Sequence, residues 1–599
     1  MAVGRAEAQI RFDDAAGLLG DRLPEGSVYH LLASEGQRLF PDDYFADLFM
    51  ASAKGRPTVP ARVVATTMLL QAHEGLSDRE AVEHLAFDLR WKAAAGLAVD
   101  AGAFHSTVLV GVRNRLRKSD RPRRLFDDVK AVAKAAGLLR GRNRVLDSTP
   151  VYDAVSTQDT VTQLRAVIRK VLMVADREGE TELAAALRVV LTRDDDYATA
   201  GKPPCDWDDK TAREDLVDAL VRDCLAVLGV LDGRSLSTGL AEAAELLALV
   251  AGQDVAEGDD GVFRIVRRVK PDRIISTVDT EARHGHKSRN RSFDGYKAHL
   301  SVDPDDELID EVAVTPANTP DRDAVGDLLA EHTTVTPSGV ADTDTAGSAQ
   351  DAHADADADD VVAGTAPDTV AAEDTGRDAT VDEDTCVSSV DAPISAGEPH
   401  EGDEGDDGDD GVLNVFGDSA YADADTLDDL EEQGHTPWAK VPPTRNRDGL
   451  FSKDQFDIDL DQQEVTCPAG NSARIVANPS GGGTALFGDL CAACPLRDLC
   501  TTSATGRTVT IHPREATLKK HRARQAEPTW KQRYRATRPK VERKIGHFVR
   551  RSWGGRRART RGKARILTDV LTRAAALNLA RLGVLGLRHE PSGWAINLG

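Results

Sequence analysis

The stretch NRVLDSTPVYD, residues 143–153, decides the fold because it is a short apolar run that interrupts a long helical pattern. Val145 and Leu146 precede an acid, Asp147, and Pro150 follows it. A short apolar run that ends at a proline is typical of a buried strand. We therefore predict a strand that Pro150 stops and that delivers Asp147 at its carboxyl end.

A second stretch, VFGDSAYAD at residues 415–423, echoes the first, since an apolar run again releases an Asp-Ser pair. The pattern predicts a strand that ends in Asp418 and then a helix capped near Asp423 or Asp425. The string TPWAKVP that follows favours a further strand. The two acids thus hold corresponding places on two separate strands.

The N-terminal part, residues 1–140, has apolar residues three and four positions apart, which is the period of amphipathic helices. A break at Gly75 is followed by Ser77 and Glu80, the pattern of a capping box. A second capped helix is predicted in FHSTVLVGVRNRLRK. These two helices form either a helix-turn-helix reader of DNA or part of an ordinary bundle with a basic, solvated face.

The pattern changes twice after the first strand. Residues 155–260 are mostly helical, and the period then becomes two in GYKAHLSVD and ELIDEVAVTPAN, which PDD joins. Alternation on both sides of a short polar link predicts an antiparallel hairpin. A long helical segment therefore separates the first strand from the next two.

The formal net charge of −24 is concentrated in one part of the chain. Residues 341–410 contain 23 Asp and Glu and a single basic residue, Arg377, so they carry −22 of the total. Low hydrophobicity and high charge predict a disordered insert over residues 335–411. This insert is either a solvated, tolerated loop or a mimic of nucleic acid that competes for a basic region.

Residues 501–565 have the opposite balance, with 21 Lys and Arg against three Glu. Such a composition suits binding to a polyanion. The N-terminus lacks the apolar core of a signal peptide, and no run approaches about 18 apolar residues. We predict a cytoplasmic protein, bacterial and nucleoid-associated when active, without a membrane partner.

Four of the seven cysteines are clustered, at Cys467, Cys491, Cys494 and Cys500. One C-x2-C pair can place two thiolates on a tetrahedral Zn²⁺, and the outer two cysteines can complete a closed structural site. The alternative is four reduced cysteines in a small insert, with His512 as a substitute ligand. We predict a structural Zn²⁺.

Eleven stretches resemble, in their order along the chain, bacterial insertion-sequence transposases of the DDE class, most of all the eleven-eighty-two family. They are GRPTVPARVVA, GLSDREAVEHLAFDLRWKAAAGL, FHSTVLVGVRNRLR, VLDST, VDTEARHGHKS, GYKAHLSVD, VTPAN, GDSAYAD, the cysteine block, RPKVERKIGHF and NLARL. Together they span nearly the whole chain apart from the acidic insert. Each stretch is short, but their common order is specific.

The resemblance implies an RNase H-like catalytic core, in which strand ends carry two acids and a later helix carries the third. It implies that Asp147, Asp418 and Glu542 are catalytic and hold two Mg²⁺ ions, with Mn²⁺ as a substitute. These ions would activate water for the first strand cut and a DNA 3′-hydroxyl for strand transfer. The rival metal ligands are Asp279, Asp303 and Asp310.

The stretch around Glu542 departs from the related pattern of Tyr, two residues, Arg, three residues, Glu, six residues, Lys. Arg538 fits, but Tyr534 lies one residue too far away and Val549 replaces the Lys. Because Pro539 suits a first helical turn, we predict that the helix begins there, without assuming that Tyr534 stacks under Glu542.

Basic residues near these acids are predicted to contact DNA. Lys297 and His299 alternate along one strand and so share a face, while a hydrogen-bonded histidine on a half-buried strand is the alternative for His299. An arginine beside Val549 is predicted to replace the missing Lys. The predicted DNA-binding residues are Lys297, His299, Arg538, Arg543, Lys544, Arg550 and Arg551.

We predict a multidomain α/β protein whose RNase H-like mixed-sheet core is interrupted by inserts. The segments are a helical domain and candidate DNA-end binder (1–140), the first part of the core (141–154), a helical insert (155–268), the core hairpin (269–334), the acidic disordered insert (335–411), a core strand-helix-strand unit (412–445), a cysteine-rich zinc-binding insert (446–510) and the basic catalytic helix with C-terminal helices (511–599).

The predicted function is that of an insertion-sequence DNA transposase that binds terminal inverted repeats and catalyses Mg²⁺-dependent strand cleavage and strand transfer. Its partners are double-stranded DNA, both repeat ends and target, and a second copy of itself or a larger assembly on DNA. The alternative is a catalytically silent, transposase-derived DNA-binding protein.

Overall fold

The computed structural model describes residues 14–49, 57–154, 157–195, 197–266, 270, 272–288, 291–332, 411–444, 449–479, 481–550 and 555–597. The predicted acidic insert, residues 335–411, lies outside the described residues except for Gly411. Arg551 also lies outside them.

Seven helices form the N-terminal part. They are α1 (Ala15–Leu19), α2 (Val28–Leu39), α3 (Ala61–Glu74), α4 (Asp78–Phe87), α5 (Leu89–Ala95), α6 (Thr107–Arg117) and α7 (Arg124–Ala135). The break at Gly75 is confirmed, since its φ of 72° ends α3 in the left-handed region. The capping box is confirmed as well, because Ser77 Oγ accepts from Glu80 N and Glu80 Oε2 accepts from Ser77 N.

The second predicted cap is wrong, because the Ser106 side chain makes no capping hydrogen bond to α6. The helix α5 lies between α4 and α6, so the two helices considered for a helix-turn-helix are not consecutive. This arrangement agrees with the helical-bundle interpretation.

The stretch that opened the sequence analysis forms strand β1 (Asn143–Tyr152). The prediction that Pro150 stops it is wrong. Tyr152 N donates to Arg556 O, on the side away from the hairpin, and Pro150 points its nitrogen to the same side because the strand period is two. That side has no paired strand at Pro150, so the missing N–H costs no ladder hydrogen bond.

Helices fill most of the segment after β1 and build a core of their own. They are α8 (Thr160–Arg177), α9 (Thr181–Val189), α10 (Lys210–Leu231) and α11 (Thr238–Ala251), followed by the strands β2 (Val255–Glu257) and β3 (Phe263–Ile265). Leu164, Leu220 and Leu247 are fully buried at their centre.

A mixed sheet forms around β1, as predicted. Its other members are β4 (Arg283–Ser288), β5 (Arg291–Asp303), β6 (Leu308–Pro316), β7 (Asn414–Gly417) and β8 (Thr436–Ala439), with α12 (Val325–Leu329) after β6 and α13 (Ala424–Glu432) between β7 and β8. The order is β4-β5-β1-β7-β8, and β6 also pairs with β5. β5 runs antiparallel to β1 and β6 antiparallel to β5, whereas β7 and β8 run parallel to β1. Asp423 is the residue that caps α13.

The cysteine-rich segment forms a small antiparallel sheet with the order β13-β12-β11-β10-β9. Its elements are β9 (Asp457–Asp459), β10 (Glu464–Thr466), β11 (Ser472–Ala477), β12 (Gly483–Leu486), α14 (Arg497–Cys500) and β13 (Thr508–Ile511). Val465 and Ala485 are fully buried between its strands.

The chain ends with α15 (Glu515–Ala526), α16 (Pro528–Phe548), α17 (Lys563–Val584), β14 (Leu587–Glu590) and β15 (Gly593–Ile596). The helix α17 packs against α2, α3, α7 and β6 within one shared core. Asn578 on α17 fixes this contact by donating to Ile309 O and accepting from Ile309 N, both at 2.8 Å. The N-terminal helices and the mixed sheet are therefore joined through α17. No described helix combines the length and apolarity that crossing a bilayer requires.

Candidate active site

Asp147 and Asp418 lie on neighbouring parallel strands. The pairing of β1 with β7 ends at Val145 and Phe416, and each aspartate stands two residues further along its own strand. Asp147 lies inside β1 and not at its end, which corrects the prediction, whereas Asp418 directly follows β7 as predicted. Burial raises the pKa of the Asp147 carboxyl, and the charge of Asp418 raises it further. The two carboxylates are thus electrostatic neighbours.

The helix that carries Glu542 is longer than predicted. The prediction that it begins near Pro539 is wrong, because α16 begins at Pro528 and continues through Pro539. The proline at the first position is the one that suits helix initiation. Pro539 removes one helical hydrogen bond, and the burial of Val541 and Phe548 beyond it holds the helix together.

Tyr534, Arg538 and Glu542 are four residues apart on α16 and therefore share one face. Arg538 is buried on this face and donates to Leu146 O at 2.8 Å. It also pairs with Asp147, with 2.9 Å between Nη2 and Oδ2. With the extra residue between the tyrosine and the arginine, Tyr534 still lies on the same face of α16 as Arg538 and Glu542. Glu542, the last of the three along the helix, is exposed.

The charges on this face are balanced by Arg538. Burial by itself would lower the pKa of its guanidinium, but Asp147 and Asp418 raise it above its ordinary value. The Tyr534 hydroxyl has a raised pKa, first because of burial and then, against the effect of Arg538, because of Asp418, Asp147 and Glu542. All three predicted acids therefore contribute to the raised pKa of this one hydroxyl group.

A row of stacked rings attaches α16 to the sheet. Phe416 stacks on Trp438, Trp438 on Trp530 and Trp530 on Tyr534, with centroid distances of 5.3, 6.0 and 4.8 Å. The Tyr534 hydroxyl donates to Gly417 O at 2.9 Å. This contact lies one residue before Asp418, so the stack sets the position of the helix relative to the second aspartate.

Replacing Tyr534 by Phe should remove this hydrogen bond and keep the stacked ring. We expect the free energy of unfolding to fall by about 0.5–1.5 kcal/mol, measured by urea denaturation. Tyr152→Phe is the matched control, since the Tyr152 side chain is 40% exposed and the loss of its hydroxyl group should change the free energy of unfolding little. Equal losses in the two variants would contradict the role of the Gly417 contact.

Asp321 is a further acid at this site that the sequence analysis missed. Its Oδ2 accepts from Ser148 Oγ at 2.7 Å, and its Oδ1 pairs with Lys297 Nζ at 2.7 Å. Burial raises the pKa of the Tyr421 hydroxyl, and Asp321 and Asp147 raise it further. A signal was available, because β6 runs in the same direction as β1 and delivers the acid that follows it to the same edge of the sheet.

Two of the predicted DNA contacts on β5 have protein partners instead. Lys297 Nζ is held by Asp321 and donates to Thr319 O at 2.8 Å. His299 is fully buried, and its Nε2 lies 2.8 Å from Thr315 Oγ1. Burial lowers the pKa of His299 to about 4, so the imidazole is neutral near pH 7. This placement agrees with the alternative of a hydrogen-bonded structural histidine.

The residues of α16 that are predicted to contact DNA fall into a buried group and an exposed group. Lys544 is buried and therefore does not face the surface. The same burial lowers the pKa of its ammonium group to about 8. Arg538 is occupied by Asp147, as described above. Arg543 and Arg550 are exposed, and Arg543 pairs with Glu307 at 2.7 Å.

The rival acids have structural partners. Asp303 and Asp310 are fully buried and both pair with the buried Arg144, at 3.2 and 2.8 Å. Asp279 accepts from the Tyr296 hydroxyl at 2.6 Å and from Gly562 N at 2.8 Å. Each of these carboxylates is therefore engaged inside the fold.

The four clustered cysteines line one small pocket, together with Phe451 and Phe487. None of them forms a disulfide. Burial raises the pKa of the Cys500 thiol, and negative charge on the other three sulfurs raises it further against Arg507. The sulfurs are thus mutual neighbours, as a shared site requires.

Neither set of predicted ligands forms a finished metal site. Within the described ranges, no three His, Cys, Asp or Glu side chains are arranged as a group that could hold a metal ion. The donor chemistry fits nevertheless, because carboxylates suit Mg²⁺ and thiolates suit Zn²⁺. At the candidate active site, the Glu542 carboxylate would have to come closer to Asp147 and Asp418 to complete such a group.

Three family models match separate parts of the chain. Residues 19–115 match the Transposase domain (DUF772), and residues 260–350 and 466–583 match two models of the Transposase DDE domain. Neither the curated proteins nor the solved structures gave a match. Glu542 lies within the last matched region, whereas Asp147 and Asp418 lie outside all three. The three matches show that these parts of the chain are similar to transposase domains of the DDE class, and this similarity implies a transposition enzyme with DNA as its partner.

Proposed function

We propose that this transposase binds the terminal inverted repeats of an insertion sequence and that Asp147, Asp418 and Glu542 form its catalytic triad. The observation that carries the proposal is the register of β1 and β7, which sets Asp147 beside Asp418 under the face of α16 that bears Glu542. This arrangement suits an RNase H-like core. Eleven-eighty-two membership is part of the same proposal and rests on the sequence resemblance.

The three acids would hold two Mg²⁺ ions, which supply the activation of water and of a DNA 3′-hydroxyl when bound. The protein's own residues would position them. Arg538 holds the Asp147 carboxylate from one side, and Ser148 N donates to Asp147 Oδ1 at 2.8 Å. Ala420 N fixes Asp418 in the same way, through a 2.8 Å hydrogen bond to Oδ1.

Pairing two transposon ends would require at least a dimer on DNA, which is part of the proposal. The test is Mg²⁺-dependent cleavage of a duplex that carries the repeat end, followed by joining of the 3′ end to target DNA. We expect cleavage by the full chain with Mg²⁺ and none with EDTA. The alternative, a catalytically silent transposase-derived DNA-binding protein, predicts binding of the same duplex without cleavage under either condition.

We also propose that Cys467, Cys491, Cys494 and Cys500 hold a structural Zn²⁺. The support is their common pocket and the hydrogen bond from Arg507 N to Cys491 Sγ, at 3.4 Å, which suits a thiolate. A site with four thiolates leaves no open coordination position, so this ion would maintain shape and take no part in catalysis.

Removing one thiolate tests the zinc proposal. We expect Cys494→Ser to lose most of the stoichiometric zinc and to lower the thermal midpoint, because metal-binding free energy is also folding free energy. Metal analysis and thermal unfolding measure both. Cys205→Ser, outside the cluster, is the control and should keep its zinc. A full chain produced with added zinc that contains none would contradict the proposal.

A further inference from the structure

A basic groove lies away from the catalytic acids, between the N-terminal helices and the part of the chain that contains the end of the α16–α17 connection and the first turns of α17. The groove has a volume of about 970 Å³. One wall is formed by α3, α4 and α6, and the other by residues 557–572. Its charged lining residues are Arg79, Arg113, Arg117, Arg557, Arg559, Arg565, Asp78, Glu80 and Asp569.

The positive charge in this groove is only partly neutralised. Arg113 forms an ion pair with Asp78, with 2.8 Å between Nη2 and Oδ1. In the part of the chain that the structure describes, Arg117, Arg557 and Arg565 make no ion pair with a carboxylate. Burial lowers the pKa of Arg117, and the charge of Arg565 on the opposite wall lowers it further. A groove lined by charges of one sign concentrates the electrostatic field and attracts a partner of the opposite charge.

The groove is joined to the catalytic strand. Tyr152, in β1, donates its N–H to Arg556 O and accepts from Ala558 N, both at 2.7 Å. It lies five residues after Asp147, so at about 3.3 Å per residue the strand spans roughly 17 Å between them. Duplex DNA rises about 3.4 Å per base pair, and that span therefore corresponds to roughly five base pairs. Arg557, the next residue in this segment, is exposed.

We propose that this groove binds the sugar-phosphate backbone of the transposon-end duplex, roughly five base pairs from the phosphodiester that lies at Asp147. The contact is made by Arg117 from α6, by Arg557 from the α16–α17 connection and by Arg565 from the first turn of α17. It needs no base recognition, because guanidinium groups in a groove suit phosphate oxygens of any sequence. The inference rests on the proposed function for the position of the cleaved bond.

The salt dependence of duplex binding tests whether the groove contacts phosphates. The variant combines Arg117→Gln, Arg557→Gln and Arg565→Gln, which removes charge from exposed or half-buried side chains with little effect on folding. We expect weaker binding to duplexes of any sequence, and a slope of log K against log salt that is less negative by roughly 0.9 for each lost contact. The corresponding triple lysine variant should restore most of the slope. Arg234→Gln, an exposed arginine after α10 that donates to Val230 O, is the control.

Interference by phosphate ethylation shows which phosphates of the duplex the groove contacts. Ethylated phosphates roughly five base pairs from the cleaved bond should interfere with binding of the parent protein and not with binding of the triple glutamine variant. An unchanged slope in that variant would overturn the groove assignment, and so would interference confined to other positions or tighter binding of duplex RNA than of duplex DNA. If the parent never cleaves but the slope still changes, the proposed function fails and the groove stands.

Discussion

Replacing Asp418 by Asn is expected to lower strand cleavage by on the order of 10³-fold, with binding of the repeat-end duplex retained. The aspartate stands in register beside Asp147, and its charge acts on that carboxyl. A metal ion supplies several kcal/mol of transition-state stabilisation, and each 1.36 kcal/mol is worth a factor of ten in rate. Loss of one carboxylate ligand therefore removes most of the rate.

Folding should survive this change. Asp418 Oδ1 accepts from Ala420 N at 2.8 Å, and the amide oxygen of asparagine can accept the same hydrogen bond. Asp425→Asn is the matched control, since that side chain is 71% exposed and pairs with Arg514 outside the site. Single-turnover cleavage and duplex affinity are measured for both. If Asp418→Asn cleaves as well as the parent, the assignment of the triad is wrong.

Replacing Arg144 by Ala should destabilise the fold by about 3–5 kcal/mol, the cost of leaving buried charge without its partner. Arg144 is 1% exposed and lies between Asp303 and Asp310. It also donates to Leu139 O, Gly141 O and Asn143 O, so its loss leaves two carboxylates and three carbonyls without this donor. The two acids belong to β5 and β6, and the arginine therefore holds the hairpin to β1.

The two acids differ in their remaining support. Burial raises the pKa of Asp303 to about 7, whereas His332, Arg144 and Lys130 together outweigh burial and hold that of Asp310 low. Asp303 should therefore be the acid that takes up a proton when Arg144 is removed. Urea denaturation measures the loss of stability. Arg188→Ala breaks an exposed ion pair with Asp176 and should cost at most about 1 kcal/mol. A loss of the same size for Arg144→Ala would contradict the buried-cluster interpretation.

The strands next to Asp147 and Asp418 were predictable from sequence because each of these acids follows a short apolar run, and a short apolar run is typical of a buried strand. The same local reasoning failed at Pro150 and Pro539. Proline blocks only its own N–H and its neighbours' geometry. Whether that matters depends on what lies beside the strand or beyond the helix, and only the folded chain decides it.

The basic residues near the site show the same limit of local reasoning. Arg538, Lys544 and His299 are all buried, although their residue types suggested contact with DNA. Sequence records charge and period, but not which face a neighbouring element covers. For Tyr534 the sequence pattern understated the role of the residue. Its spacing departs from the related pattern, but α16 still places it on the same face as Glu542.

By itself, the sequence determined the mixed α/β class, the strands that deliver Asp147 and Asp418, the capping box at Ser77 and the cysteine cluster, because local periodicity and spacing encode these. Only the tertiary structure decided that α17 packs into the N-terminal helices, that Asp321 joins the site and that Arg117 and Arg565 line one groove. Each of these contacts joins residues far apart in the chain. Non-local packing brings them together, and no local pattern records it.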